Sequence, residues 1–105
     1  MPKAKLGKRR FGIHRRKLEL YSHGLAILPP KIQLFTRLVE LNISYNNLLV
    51  LDGKILPTTL QILNCANNRL KVLENLHEGL LELYCWWNDL VNLDNLPTTL
   101  VKLRC

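Results

Sequence analysis

The chain has no apolar run approaching the ~20 residues that a membrane-spanning helix requires, so no membrane association is expected from its 105 residues. Its basic N-terminus is not followed by the ~7–15 apolar residues of a secretory signal, and no export leader is read there. There is no Gly-rich phosphate loop, no Ser/His/Asp set and no pair of acids at catalytic spacing. The side chains that catalysis needs are not assembled by the sequence. No catalytic residue is assigned and no enzyme is expected. His14 and His77 have no nucleophile paired with them.

Cysteine is scarce and odd in number. Cys65, Cys85 and Cys105 stand 20 residues apart, which fits neither a disulfide framework nor the close pairs of a zinc site. No metal and no cofactor is expected. The three read as one column of small buried hydrophobes, with Cys105 as the exposed thiol. A reducing compartment follows, and hence an intracellular, cytoplasmic chain.

Acidic residues are missing from residues 1–17, and this locates the net charge of +7. That stretch holds Lys3, Lys5, Lys8, Arg9, Arg10, Arg15, Arg16 and Lys17. The other seven basic residues face eight acids, so residues 18–105 carry a net −1. A cationic arm (1–17) therefore precedes a near-neutral body (18–105), which by length is a single domain.

What the body has in abundance is leucine, and the leucines repeat. Residues 95–105, Asn-Leu-Pro-Thr-Thr-Leu-Val-Lys-Leu-Arg-Cys, align with 75–85 and with 55–65 at steps of 20. Leu60, Leu80 and Leu100 share a column, as do Leu63, Leu83 and Leu103. Asn68 and Asn88 follow in step, then Leu70 with Leu90 and Leu73 with Leu93. Two longer copies come first: Leu38, Leu41, Ile43, Asn46, Leu48 and Leu51 fill the same columns, and Leu18, Leu20, His23, Leu25 and Leu28 fill them again.

The spacing Leu-x-x-Leu-x-Leu/Cys-x-x-Asn-x-Leu has a physical reading. Alternating apolar residues put two side chains on one face of a short strand. The Asn then turns the chain and offers its amide to backbone groups left unpaired by the bend. One coil cannot bury its apolar face alone, whereas stacked coils form a parallel sheet over a continuous leucine core. Strands are expected near 18–20, 41–43, 63–65, 83–85 and 103–105. Leu56-Pro57 and Leu96-Pro97 favour extended backbone on the other side of each coil. The two longer copies leave room for a helical turn near 31–38.

These residues resemble the leucine-rich-repeat signature over about residues 18–105. The Leu-Pro-Thr-Thr-Leu and Leu-x-Cys-x-x-Asn-x-Leu phrases are similar to the short repeats of giant DNA virus proteins and of some bacterial effectors. The resemblance implies an α/β solenoid: a horseshoe segment with its parallel sheet on the concave face and a mostly extended or turn-like convex side. It also implies protein–protein contact as the function. The pattern is broken where His77-Glu78-Gly79 replaces Pro-Thr-Thr, where His23 replaces the Asn, and where the sequence stops inside the strand at Cys105. That last point allows a truncated repeat paralogue, a fragment, or end-to-end association through an uncapped coil.

Outward strand positions would line the concave face. They place Tyr84, Trp86 and Trp87 together, with Tyr45, Asn64 and Glu82 on the same surface. Aromatic side chains are favoured interface anchors, so a protein partner is expected there. The competing reading is that the tryptophans shield the C-terminal end. The arm, with Lys8, Arg9, Arg10, Arg15, Arg16 and Lys17, has three readings of its own. It binds nucleic acid or an acidic surface, it is a nuclear-import signal, or it is a solvated leader whose Phe11 and Ile13 cover the first coil.

Overall fold

The computed structural model describes residues 14–105, and Lys8, Arg9, Arg10, Phe11 and Ile13 lie outside the described residues. Five three-residue strands form one parallel sheet in the order β1 (Lys17–Glu19), β2 (Glu40–Asn42), β4 (Ile62–Asn64), β6 (Glu82–Tyr84) and β7 (Lys102–Arg104). A second, two-stranded parallel sheet joins β3 (Val50–Asp52) to β5 (Val72–Glu74) on the other side of the coils. The chain is a parallel-sheet β-solenoid of about four turns.

The register of the main sheet is that of the repeat. Leu18 pairs with Leu41, Leu41 with Leu63, Leu63 with Leu83 and Leu83 with Leu103. Each strand begins one residue earlier than its leucine spacing suggests, because the ladder also includes the outward residue before the leucine. Leu38, Leu41, Ile43, Leu48, Leu60, Leu63, Leu70, Leu80 and Leu83 are fully buried in the core between the two sheets. Leu103 holds its register yet is 44% exposed, since no described strand lies beyond β7.

Helix is confined, among the described residues, to two 3₁₀ turns at Pro30–Leu34 and Gly53–Ile55. An α/β description is therefore corrected to a β-solenoid. The coils are too short to return to the sheet through a full α-helix, and Pro29, Pro30, Pro57 and Pro97 remove donors from their return paths. Val50-Leu51-Asp52 and Val72-Leu73-Glu74 pair there instead, with Leu51 and Leu73 turned into the core.

The asparagine column is the hydrogen-bonded spine of the stack. Asn68 Nδ2 donates to the Ile43 carbonyl one coil back and to the Cys65 and Ala66 carbonyls of its own turn, at 3.1–3.2 Å. Its Oδ1 accepts from the Leu48 N–H at 3.0 Å. Asn46 and Asn88 repeat this pattern on Leu20 and Ile43, and on Cys65 and Cys85. At the first coil His23 replaces the Asn, and its Nδ1 lies 2.7 Å from the Tyr21 carbonyl. A carbonyl only accepts, so Nδ1 carries the proton. His23 thus makes one side-chain hydrogen bond where Asn68 makes four.

The Pro-Thr-Thr phrase has a related task. Thr59 Oγ1 donates to the Leu38 carbonyl at 2.6 Å, and Thr99 Oγ1 donates to the Leu80 carbonyl at 2.7 Å. In the intervening coil the threonine is replaced by Gly79, which has no hydroxyl. His77 compensates from two residues earlier, where its Nε2 donates to the Leu60 carbonyl at 2.8 Å. Glu78 is used as well: its carboxylate accepts from the Thr98 hydroxyl and N–H, which holds it below the usual carboxylate range. The departure His77-Glu78-Gly79 keeps the coils stitched together.

Candidate functional site

The outward residues of the main sheet form a face with two characters. At the N-terminal end Lys17 bridges Glu19 at 3.3 Å and Glu40 at 3.6 Å. The hydrogen bond to Glu19, with the charge of Glu40, raises the ammonium above the usual lysine range. Lys17, counted by sequence with the basic arm, is therefore the first residue of β1 and is committed to the sheet. Arg15 and Arg16 are exposed, and the Arg16 carbonyl accepts from the Val39 and Glu40 N–H groups.

At the C-terminal end the aromatic residues gather. Tyr84 on β6 is half-buried, and its ring meets Trp86 edge-to-face with centroids 5.7 Å apart. Its hydroxyl donates to Glu82 at 2.7 Å, which raises the phenol above its usual range. Trp86 is 38% exposed and Trp87 is 78% exposed. Asn64 lies beside Tyr84 on the neighbouring strand, with its Oδ1 engaged by the Ala66 N–H. Tyr45 is 60% exposed and stands two coils away from Trp87, in the same column.

That column has a backbone property that the sequence does not display. Ser22, Tyr45, Asn67 and Trp87 all adopt positive φ, between 55° and 57°. The bend into the Asn spine demands this left-handed conformation once per coil. It suits Gly, Asn or Asp and is an outlier for bulky side chains. Asn67 fits it; Tyr45 and Trp87 do not. The tryptophans, equivalent by composition, thus divide: Trp86 packs on Tyr84, and Trp87 projects from a strained position.

Beside them is a groove of about 400 Å³ lined by Cys85, Trp86, Trp87, Asn88, Leu90, Val91, Asn92, Leu93 and Cys105. None of these side chains is charged. Here the reading of the cysteines is corrected. Cys85 and Cys105 are joined by a disulfide, and Cys105 is not a free thiol. Adjacent parallel strands bring their Cα atoms to 4.7 Å, within the ~4.4–6.8 Å usual for such a bond. The even step of 20 made the cysteines look alike, whereas the structure joins the last two and leaves Cys65, buried in the core, free. Burial pushes the Cys65 thiol up to about 12. Among the described residues, no cluster of three or more His, Cys, Asp or Glu side chains is arranged to hold a metal. No described helix is long and apolar enough to cross a membrane.

The fold, the leucine core and the amide spine together define a leucine-rich-repeat-like solenoid. A solved structure, the leucine-rich-repeat domain of a Shigella effector, superposes with a TM-score of 0.59 at 29% sequence identity. The match covers 88% of this chain and 49% of that one, so the chain spans about half the length of its structural neighbour. No family model matches the chain, and no curated protein matches it in sequence.

Proposed function

We propose that the chain is a non-catalytic module that binds a protein partner through the outer, concave face of its main sheet, with Trp87, Trp86 and Tyr84 as anchors. Tyr45, Asn64 and Glu82 contribute to the same surface. The observation that carries this reading is Trp87: a large apolar side chain, 78% exposed, at a φ of +57°. A bulky residue in the left-handed region costs about 1–3 kcal/mol, and exposure returns little of it through burial. Folding alone favours Asn, as at Asn67. A partner that buries the indole supplies the missing gain, and buried Trp and Tyr are the residues most often found at the energetic centre of interfaces. The Shigella effector domain supports the class of function only.

The test is capture from a cell lysate by three proteins: the full chain, the Trp86→Ala/Trp87→Ala variant, and a chain lacking residues 1–16. A protein retained by the first and third but not by the second is the expected outcome. Loss with the arm deletion alone, restored by lowering salt, would move the function to nucleic-acid or acidic-surface binding through the arm. Equal capture by the tryptophan variant would remove the proposed surface.

A further inference from the structure

We propose that the Cys85–Cys105 bond is a reversible lock on strand β7, and that closing it sets the rim of the groove beside Trp86 and Trp87. The consequence for binding rests on the surface proposed above. The lock itself is read out without any partner.

Three features support it. The first is register: Leu83 faces Leu103 and Tyr84 faces Arg104, so residue 85 stands beside residue 105. The Cys85 N–H donates to the Arg104 carbonyl at 2.9 Å. The parallel ladder thus sets the two cysteines side by side, and the bond forms without a change of register.

The second is the weakness of β7. Every residue from Val101 to Cys105 is exposed, including Leu103 in the core column. The strand is held by its ladder to β6 and by the Val101 and Lys102 N–H groups donating to the Leu81 carbonyl. Packing adds little, so the covalent link decides how firmly this strand closes. Both sulfur-bearing residues line the groove with the two tryptophans. A loosened β7 therefore changes the groove directly.

The third is the contrast with Cys65, the remaining member of the column. Cys65 is buried, and its thiol is pushed up to about 12. It stays protonated at neutral pH, and only a thiolate attacks a disulfide. The lock therefore does not migrate inward to a Cys65–Cys85 bond. Cys105, by contrast, is exposed, and its sulfur is where an external thiol attacks.

Opening takes a reduced dithiol. One thiolate attacks Cys105 Sγ, the S–S bond breaks, and Cys85 leaves and takes up a proton. The second thiol of the reagent then closes on the first, releasing the Cys105 thiol. Two electrons and two protons have passed to the protein, and the reagent departs as a cyclic disulfide. Closing runs in reverse, with a low-molecular-weight disulfide as the oxidant.

The experiment uses the full chain and its Cys105→Ser variant, equilibrated with oxidised or with reduced dithiothreitol. Alkylation in denaturant followed by intact mass is expected to count one free thiol (Cys65) in the oxidised chain and three in the reduced chain. Peptide mapping should link 85 to 105. Both tryptophans of the chain adjoin this bond, and a disulfide quenches a nearby indole by accepting an electron from its excited state. Emission should therefore rise on reduction in the wild type and stay constant in Cys105→Ser. Amide protection over 101–105 should fall roughly tenfold or more on reduction, as a local opening. Three thiols in the oxidised chain, a 65–85 link, or equal emission changes in both proteins would overturn the lock. A partner whose binding ignores the redox state, with these readouts intact, sinks the claimed effect on the groove. A chain that shows the lock but captures no partner sinks the surface reading and not the bond.

Discussion

Replacing Gly53 with alanine is expected to be among the most damaging single-methyl changes in this chain, at about 3 kcal/mol or more of stability. A Cβ at this buried position would lie 2.7 Å from the Asn75 carbonyl carbon and 2.8 Å from Leu76 Cα, with the Asn75 oxygen closer still. All three are backbone atoms of the next coil, so no side chain can swing aside. The coils must separate, and the first casualty is the β3–β5 pair, where Asp52 lies opposite Glu74. Each kcal/mol lowers the melting temperature of a domain this size by roughly 4–8 °C, so a drop of more than about 10 °C is expected. Gly24 is the control. It has a φ of +66°, and a methyl added there would meet no atom within 4 Å. Gly24→Ala therefore meets only torsional strain, about 1 kcal/mol. Equal losses at the two sites would refute the claim of inter-coil contact.

Asn68→Ala is expected to cost about 3 kcal/mol, and the hydrogen bonds around it show why the figure is not larger. The Ile43 and Cys65 carbonyls keep a donor without Asn68, from Asn46 and Asn88 respectively. The Ala66 carbonyl keeps the Tyr45 N–H. Only the Leu48 N–H loses its partner. One buried orphan donor costs about 1–3 kcal/mol, and three shared bonds add a smaller sum. Asn68→Asp restores the acceptor but turns a carboxyl group toward three carbonyl oxygens, so it should rescue nothing. Chemical denaturation of the three proteins checks both statements. A loss below about 0.5 kcal/mol for Asn68→Ala, within the range of ordinary surface changes, would mean that the amide column is not the spine of the stack.

The sequence made the repeat legible because one physical requirement recurs. Each coil needs a leucine facing inward at the same place, so Leu63 and Leu83 announce their positions by spacing alone. The Asn column is legible for the same reason, since only a side chain with both donor and acceptor can serve the turn. What stayed hidden depends on distances between coils. Gly53 looks like any loop glycine until Asn75 and Leu76 are placed against it. Val50–Asp52 and Val72–Glu74 reveal themselves as strands only when stacked. Cys65, Cys85 and Cys105 share one spacing, and Cys65 and Cys85 are both buried; only the placement of the coils shows which two are bonded and which is free. The tryptophans are adjacent letters, yet a half-turn of chain sets one on Tyr84 and the other in solvent. The outward face was visible as a set of residues; which of them carries the strain was not.

The strained exposure of Trp87 is the observation on which the proposed binding role rests, and Trp87→Asn tests it. Asn relieves about 1 kcal/mol of left-handed strain, while the small area that the indole covers is worth about as much. The two offset, and urea unfolding of the variant is expected to match the wild type within about 1 kcal/mol. A loss of about 3–5 kcal/mol, the cost of removing a core tryptophan, would show that Trp87 serves the scaffold and contradict its assignment to a partner.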